Sequence, residues 1–195
     1  RDEDARADRS PGEFYQLDFE MAFATQEDVL QIAEEVISEI FKKFSDKKVS
    51  DTPFPRIPYT EAMLRYGTDK PDLRNPLEIV DITEIFETST FAPFKNKTVR
   101  AINVPNCASK PKSFFDATEE LEMMGLGYIK VTDEMEFLGP INKFIPDDQR
   151  DNLIKKAGLV PGCVLYFIAD ETNAAAKLAG QIRAELGRRL ELIDN

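Results

Sequence analysis

Histidine is absent from the 195 residues, which excludes a histidine-based triad and histidine metal ligation within them. Cysteine is scarce. Cys107 and Cys163 stand far apart and form no CxxC pair, so neither a zinc site nor a redox motif is expected and both read as buried or incidental thiols. No apolar run approaches the roughly 20 residues that span a bilayer, and no charged-then-apolar leader is present; the expectations are no membrane and a cytoplasmic location. The closest thing to a glycine-rich loop, Gly125 and Gly127, lacks the lysine and Ser/Thr of a Walker phosphate loop and reads as a turn before a strand. Basic residues are outnumbered, 25 Lys and Arg against 36 Asp and Glu, a formal charge of −11. That argues against a chain that coats nucleic acid nonspecifically, an affinity that comes from counterions displaced at basic surfaces. The chain also opens at Arg1 without an initiator methionine, which reads as a part of something longer. Any chemistry here is left to arginine and carboxylates.

Those residue types are concentrated at the start. The loop RDEDARADRSPGE runs directly into FYQLDFEMAF. From Tyr15 the odd positions Tyr15, Leu17, Phe19, Met21 and Phe23 are apolar and Gln16, Asp18 and Glu20 are polar, the alternation of a half-buried strand. One face is expected in a core, the other offers carboxylates to a cleft or to solvent, and a one-residue slip would exchange the two. From Arg1 to Arg9 three arginines face four carboxylates. No broad basic patch exists, so any nucleic-acid contact must come from individually placed arginines with their planar, bidentate geometry.

Further along, Thr25 followed by Gln26, Glu27 and Asp28 is a capped helix start. Val29, Ile32, Ala33, Val36, Ile37, Ile40, Phe41 and Phe44 then recur at helical spacing, the pattern of a core-facing helix of roughly five turns. Lys42, Lys43, Lys47 and Lys48 suit its negative pole. Thr52–Tyr59, with three prolines, reads as an edge strand or extended connector. Thr60 is expected to cap a short helix that runs to Tyr66 and is ended by Gly67, and the polar run Thr68–Pro76 to mark a domain boundary. Strands are expected at Leu77–Ile82, Thr98–Val104, Gly127–Thr132 and Cys163–Ala169, and helices at Ser113–Met124, Asp147–Gly158 and Thr172–Leu186. The last of these presents Ala175, Leu178, Ala179, Ile182 and Leu186 to the sheet and is stopped by Gly187. The order describes an α+β fold: a two-layer module with helices on one face of a mostly antiparallel sheet. The lysines at 110, 112, 130, 143, 155 and 156 read as scattered solvation rather than an RNA-facing surface.

The order Arg1, Asp2, Glu3, Arg6, Asp8, Arg9, Pro11, Glu13, Phe14, Gln16, Asp18, Glu20 closely resembles motif 2 of the bacterial aspartyl-tRNA synthetases, class II aminoacyl-tRNA synthetases. Gly12 separates Pro11 from Glu13, which many relatives have adjacent. YTEAMLRYGTDKPDLRNP, Tyr59–Pro76, resembles the segment leading from that catalytic core into the bacterial insertion, the GAD domain, which an archaeal tRNA-dependent amidotransferase shares. The resemblance implies residues 1–76 as part of an antiparallel class II catalytic core, 77–187 as a GAD-type two-layer insertion, and 188–195 as the return to the core.

It also implies chemistry. Such an enzyme activates aspartate with ATP and passes it to tRNA without a covalent enzyme nucleophile, so catalysis is alignment of two anions plus stabilisation of charge at phosphorus. By this match Arg1 is the catalytic residue, set against the α-phosphate and the substrate carboxylate. Asp2, Glu3, Ser10 and Phe14 join it in binding ATP, Glu3 at the adenine amino group or elsewhere on the nucleotide and Phe14 stacked on the ring. Ser10 stands where relatives often carry glutamine. Asp18 binds the aspartate ammonium group, and Gln16 and Glu20 organise that pocket floor. Arg6 and Arg9, with Asp8, meet the tRNA acceptor end; a surface ion-pair network is the alternative. ATP is the nucleotide substrate, Mg2+ accompanies it, no metal ligand is assigned to this chain, and the whole enzyme is a homodimer. Counterparts of motif 1, of the motif 3 arginine and of an anticodon-binding barrel are not found, so the polypeptide alone is expected to be catalytically incomplete. The alternative reading is a noncatalytic GAD-type module that positions RNA or mediates an interaction, or an insertion that stiffens its host.

Overall fold

The computed structural model describes residues 12–89, 91–111, 114–115 and 127–193. They divide into two compact units, Arg1–Arg56 and Ile57–Asn195.

The first unit is built on helix α1, Gln26–Phe44. Its start is the one the sequence specifies: the Asp28 amide donates to Thr25 Oγ1 at 3.3 Å, and the Thr25 amide donates back to Asp28 Oδ2 at 2.7 Å, a reciprocal capping box. The expected burial of its apolar stripe does not occur. Val29, Ile32, Ile37, Ile40, Phe41 and Phe44 are exposed, and the buried residues are Glu34 and Ser38 on the polar side. The connector after the helix accounts for this. Arg56 Nη1 lies 2.8 Å from Glu34 Oε1, which also accepts from the Phe54 amide at 3.2 Å, so the proline-rich stretch lies along the polar face and leaves the apolar one uncovered.

The Tyr15–Phe23 strand is likewise not formed. Beyond a single bridge at Glu13 no ladder includes these residues, and Tyr15, Leu17, Phe19, Met21 and Phe23 are all exposed. A lone strand has no partners for its backbone groups and no sheet to pack on, and none is supplied by the described residues of this unit.

The second unit opens with helix α2, Tyr59–Arg65. It starts at Tyr59, and its cap position, two residues before the expected Thr60, is Pro58, whose fixed φ suits a helix entrance; no side chain caps it. Five strands follow, β1 (Ile79–Asp81), β2 (Thr98–Val104), β3 (Gly127–Val131), β4 (Phe137–Leu138) and β5 (Val164–Asp170), with helix α3 (Arg150–Ala157) before β5 and helix α4 (Thr172–Arg189) after it. The sheet order is β1-β2-β5-β3-β4 and every pairing is antiparallel. The central pair runs in register from Thr98 opposite Asp170 to Val104 opposite Val164. β1 is shorter than expected because Asp81 turns the chain: its Oδ1 accepts from the Thr83 amide at 3.0 Å and from Thr83 Oγ1 at 2.6 Å. The Ser113–Met124 helix falls almost wholly outside the described residues.

Helices cover both faces of this sheet, not one. Val99, Ala101, Ile129, Val131, Leu165 and Phe167 point to one side, where Leu153 and Ala157 of α3 close the core. Phe167 there meets Phe86 edge-on and stacks towards Phe94, at 5.8 and 6.0 Å. Ile102, Val104, Val164, Tyr166 and Ile168 point to the other side, under Ala179, Ile182 and Leu186 of α4. The cause lies in the strands: VLYFIA in β5 is apolar at consecutive positions, which marks a strand buried on both faces. Asn103 fixes α3 by donating to the carbonyls of Ala157 and Gly158 at 3.0 and 2.8 Å. Cys107 and Cys163 are buried free thiols, both pushed up in pKa by burial, the inert environment expected of structural cysteines.

The compact division at Arg56 precedes the boundary expected after Pro76. Residues 57–76 pack with the sheet, through α2 against β1 and α4 and through the contacts described next.

Candidate functional site

Of the residues assigned roles by resemblance, Arg1, Asp2, Glu3, Arg6, Arg9 and Ser10 lie outside the described residues. Phe14 is half-buried and Asp18 is exposed. Gln16 Nε2 donates to Asp18 Oδ2 at 3.4 Å, and Glu20 is exposed nearby in sequence. Among the described residues no helix is long and apolar enough to cross a membrane, and no group of three or more His, Cys, Asp or Glu is arranged around a common point.

Two polar centres went unpredicted by pattern. Arg100 is buried on β2, its Nη1 2.9 Å from Asp81 Oδ2. This approach is an ion pair without hydrogen-bond geometry, since neither Nε nor Nη1 of Arg100 makes a hydrogen bond among the described residues. Burial works to raise the Asp81 carboxyl, but the Thr83 hydrogen bonds and the charges of Arg100 and Lys156 outweigh it and hold Asp81 below its ordinary value. The second centre is Arg183, buried on α4. It donates from Nε to Leu77 O at 2.5 Å and from Nη2 to Asn75 O and Asp72 O at 2.7 and 3.1 Å. Asn75 Nδ2 returns a bond to Arg183 O at 2.9 Å. The available signal was an arginine in a helix row otherwise made of alanine and glycine, facing a chain segment with its own glycine and asparagine.

The antiparallel α+β architecture is compatible with one class of protein, and the comparison shows it: the chain belongs to the class II tRNA synthetases, matching the family model tRNA synthetases class II (D, K and N) over residues 1–175. Within that family it is similar to the Aspartate--tRNA(Asp/Asn) ligases of Rickettsia bellii (strain OSU 85-389) and Rickettsia felis (strain ATCC VR-1525 / URRWXCal2), 51% identical to each over all of this chain and 34% of the relative. The ligase of Rickettsia prowazekii (strain Madrid E) is 49% identical with the same coverage. The chain thus spans about a third of the length of these curated relatives.

Proposed function

We propose that this chain is the part of an aspartate–tRNA ligase that carries the motif 2 loop and the insertion, within an enzyme that activates aspartate with ATP to aspartyl-adenylate and transfers it to tRNA. The observation that carries the reading is similarity along the whole chain to proteins named Aspartate--tRNA(Asp/Asn) ligase. In it, Arg1 neutralises charge developing at the α-phosphate and holds the attacking carboxylate in line. Asp2, Glu3 and Ser10 hold the nucleotide while Phe14 offers the adenine an apolar plate. Asp18, oriented by Gln16, receives the aspartate ammonium group, and Arg6 and Arg9 guide the acceptor end of the tRNA. Residues 1–76 belong to the catalytic core, 77–187 to a GAD-type insertion and 188–195 to the return. The closed core of Ile57–Asn195 supports an insertion that folds as its own body. The exposed stripe of α1 supports a helix whose cover belongs to the rest of the enzyme, a cytoplasmic homodimer. Mg2+ accompanies ATP there; the described carboxylates form no cluster that fits it.

The test is a chimera in which these 195 residues replace the matching third of the Rickettsia bellii ligase. It should support aspartate-dependent ATP–pyrophosphate exchange, and Arg1→Ala should lower that exchange by roughly 100-fold or more, as for loss of one preorganised donor. Near-normal exchange by Arg1→Ala removes Arg1 from the mechanism and favours the noncatalytic module.

A further inference from the structure

Ala176, Gly180, Arg183 and Gly187 recur every three or four residues on α4 and therefore form one row along the helix. The segment Tyr66–Leu77 lies in that row. At Gly180 the backbones touch, since a Cβ there would stand 2.7 Å from Gly67 O. Gly67 itself has φ +68 and its Cβ would run into Ala176 O. At Gly187 a Cβ would strike the Asn75 side chain. Three small residues thus make a shallow seat, and the single long side chain in the row reaches out of it into the segment. Arg183 finds no carboxylate within ion-pairing distance among the described residues; its donors go to the carbonyls of Asp72, Asn75 and Leu77, and the Tyr66 ring lies 4.9 Å from its guanidinium.

We infer that Arg183 is a conformational latch: it holds Tyr66–Leu77 shut on α4, so that a stretch whose glycine, proline and charges read as a linker moves as one body with the sheet, and releasing it turns that stretch into a mobile strap. A guanidinium suits this because its fixed fork reaches several carbonyls at once, which a lysine ammonium on a flexible stem does less well. Removing it strands carbonyls that the helix cannot satisfy, while the two sheet cores, which contain neither Arg183 nor Asn75 and meet the segment only at its last residue, Leu77, stay closed. On the proposed reading of the chain, the latch keeps the segments that lead into and out of the insertion side by side; the latch itself does not depend on that reading.

Hydrogen exchange read by mass spectrometry on the 195-residue chain tests it, comparing the parent with Arg183→Met, Arg183→Lys and Asn75→Ala. Arg183→Met should speed exchange of the Gly67–Leu77 amides by roughly tenfold or more, in line with lost charge-assisted bonds, with β2 and β5 amides changed by less than about twofold. Trypsin cleavage after Arg74 should accelerate in parallel, and Arg183→Lys should recover part of the protection. Unchanged exchange at Gly67–Leu77, or an increase spread equally over β2 and β5, would overturn the latch. If Arg183→Met does not fold, Asn75→Ala decides: it removes the return bond and should open the same segment by a smaller factor, whereas unchanged exchange there contradicts the proposal.

Discussion

Glu185 illustrates how single charges act on this surface. It accepts from Arg188 and, at 2.8 Å, from Arg189 Nε, and these hydrogen bonds hold its carboxyl down at about 2. A carboxyl depressed in the folded state contributes stability that is fully present above its ordinary value near 4.5 and is lost as pH falls towards about 2. The side chain keeps 22% of its exposure, so solvent screening limits the contribution to about 0.5–1 kcal/mol. Glu185→Gln should therefore be less stable by about that amount at neutral pH, and the difference should shrink as pH falls below about 4.5 and approach zero only below about 2. Denaturant unfolding of both proteins across this range checks it; a difference that grows on acidification would assign Glu185 no such pairing.

The elements show which parts of a pattern survive when their surroundings differ from those assumed. The start of α1 was legible because Thr25 and Asp28 satisfy each other locally, with no help from tertiary structure. Its burial was not, because an apolar stripe states only that a cover is wanted and the connector here takes the opposite face through Glu34. β2, β3, β5 and α4 were legible for a different reason: their apolar residues find each other within the same unit. The two-layer expectation failed where the consecutive apolar run of β5 was read as a strand without asking how many faces it buries. In the candidate site, the alternation from Tyr15 to Phe23 was legible but its strand was not formed, since a buried strand face needs neighbours that spacing cannot supply.

Gly187 makes the same point on α4. It was expected to stop the helix, yet α4 continues to Arg189 and the absent side chain makes room for Asn75. Gly187→Ala should destabilise by about 1–3 kcal/mol through overpacking, although alanine is the better helix former by about 1 kcal/mol. The loss should largely vanish in an Asn75→Ala background, since residues in contact are not additive. A loss that persists unchanged in the double variant, measured by chemical unfolding, would point to a helix stop instead.

At the scale of the whole molecule, two units differ in how complete they are. Ile57–Asn195 encloses two cores around one sheet, with Val99, Ile102, Ile129, Leu165 and Tyr166 fully buried. Arg1–Arg56 leaves the α1 stripe and the Tyr15–Phe23 aromatics in solvent, an exposure that marks an interaction surface more than a finished domain. This contrast accords with a chain covering 34% of its relatives, and it is what the proposed reading of residues 1–76 as part of a larger catalytic core expects. Alignment of ATP with a carboxylate tolerates little error, since a displacement of about 1 Å can cost roughly 100-fold, so on the proposed reading the isolated chain should not turn over. The most direct measurement is aspartate-dependent ATP–pyrophosphate exchange, run side by side on the isolated 195-residue chain and on the Rickettsia bellii chimera that contains it. The account predicts none above background for the isolated chain, folded by circular dichroism, and clear exchange for the chimera; robust exchange by the isolated chain, or none by a folded chimera, would contradict it.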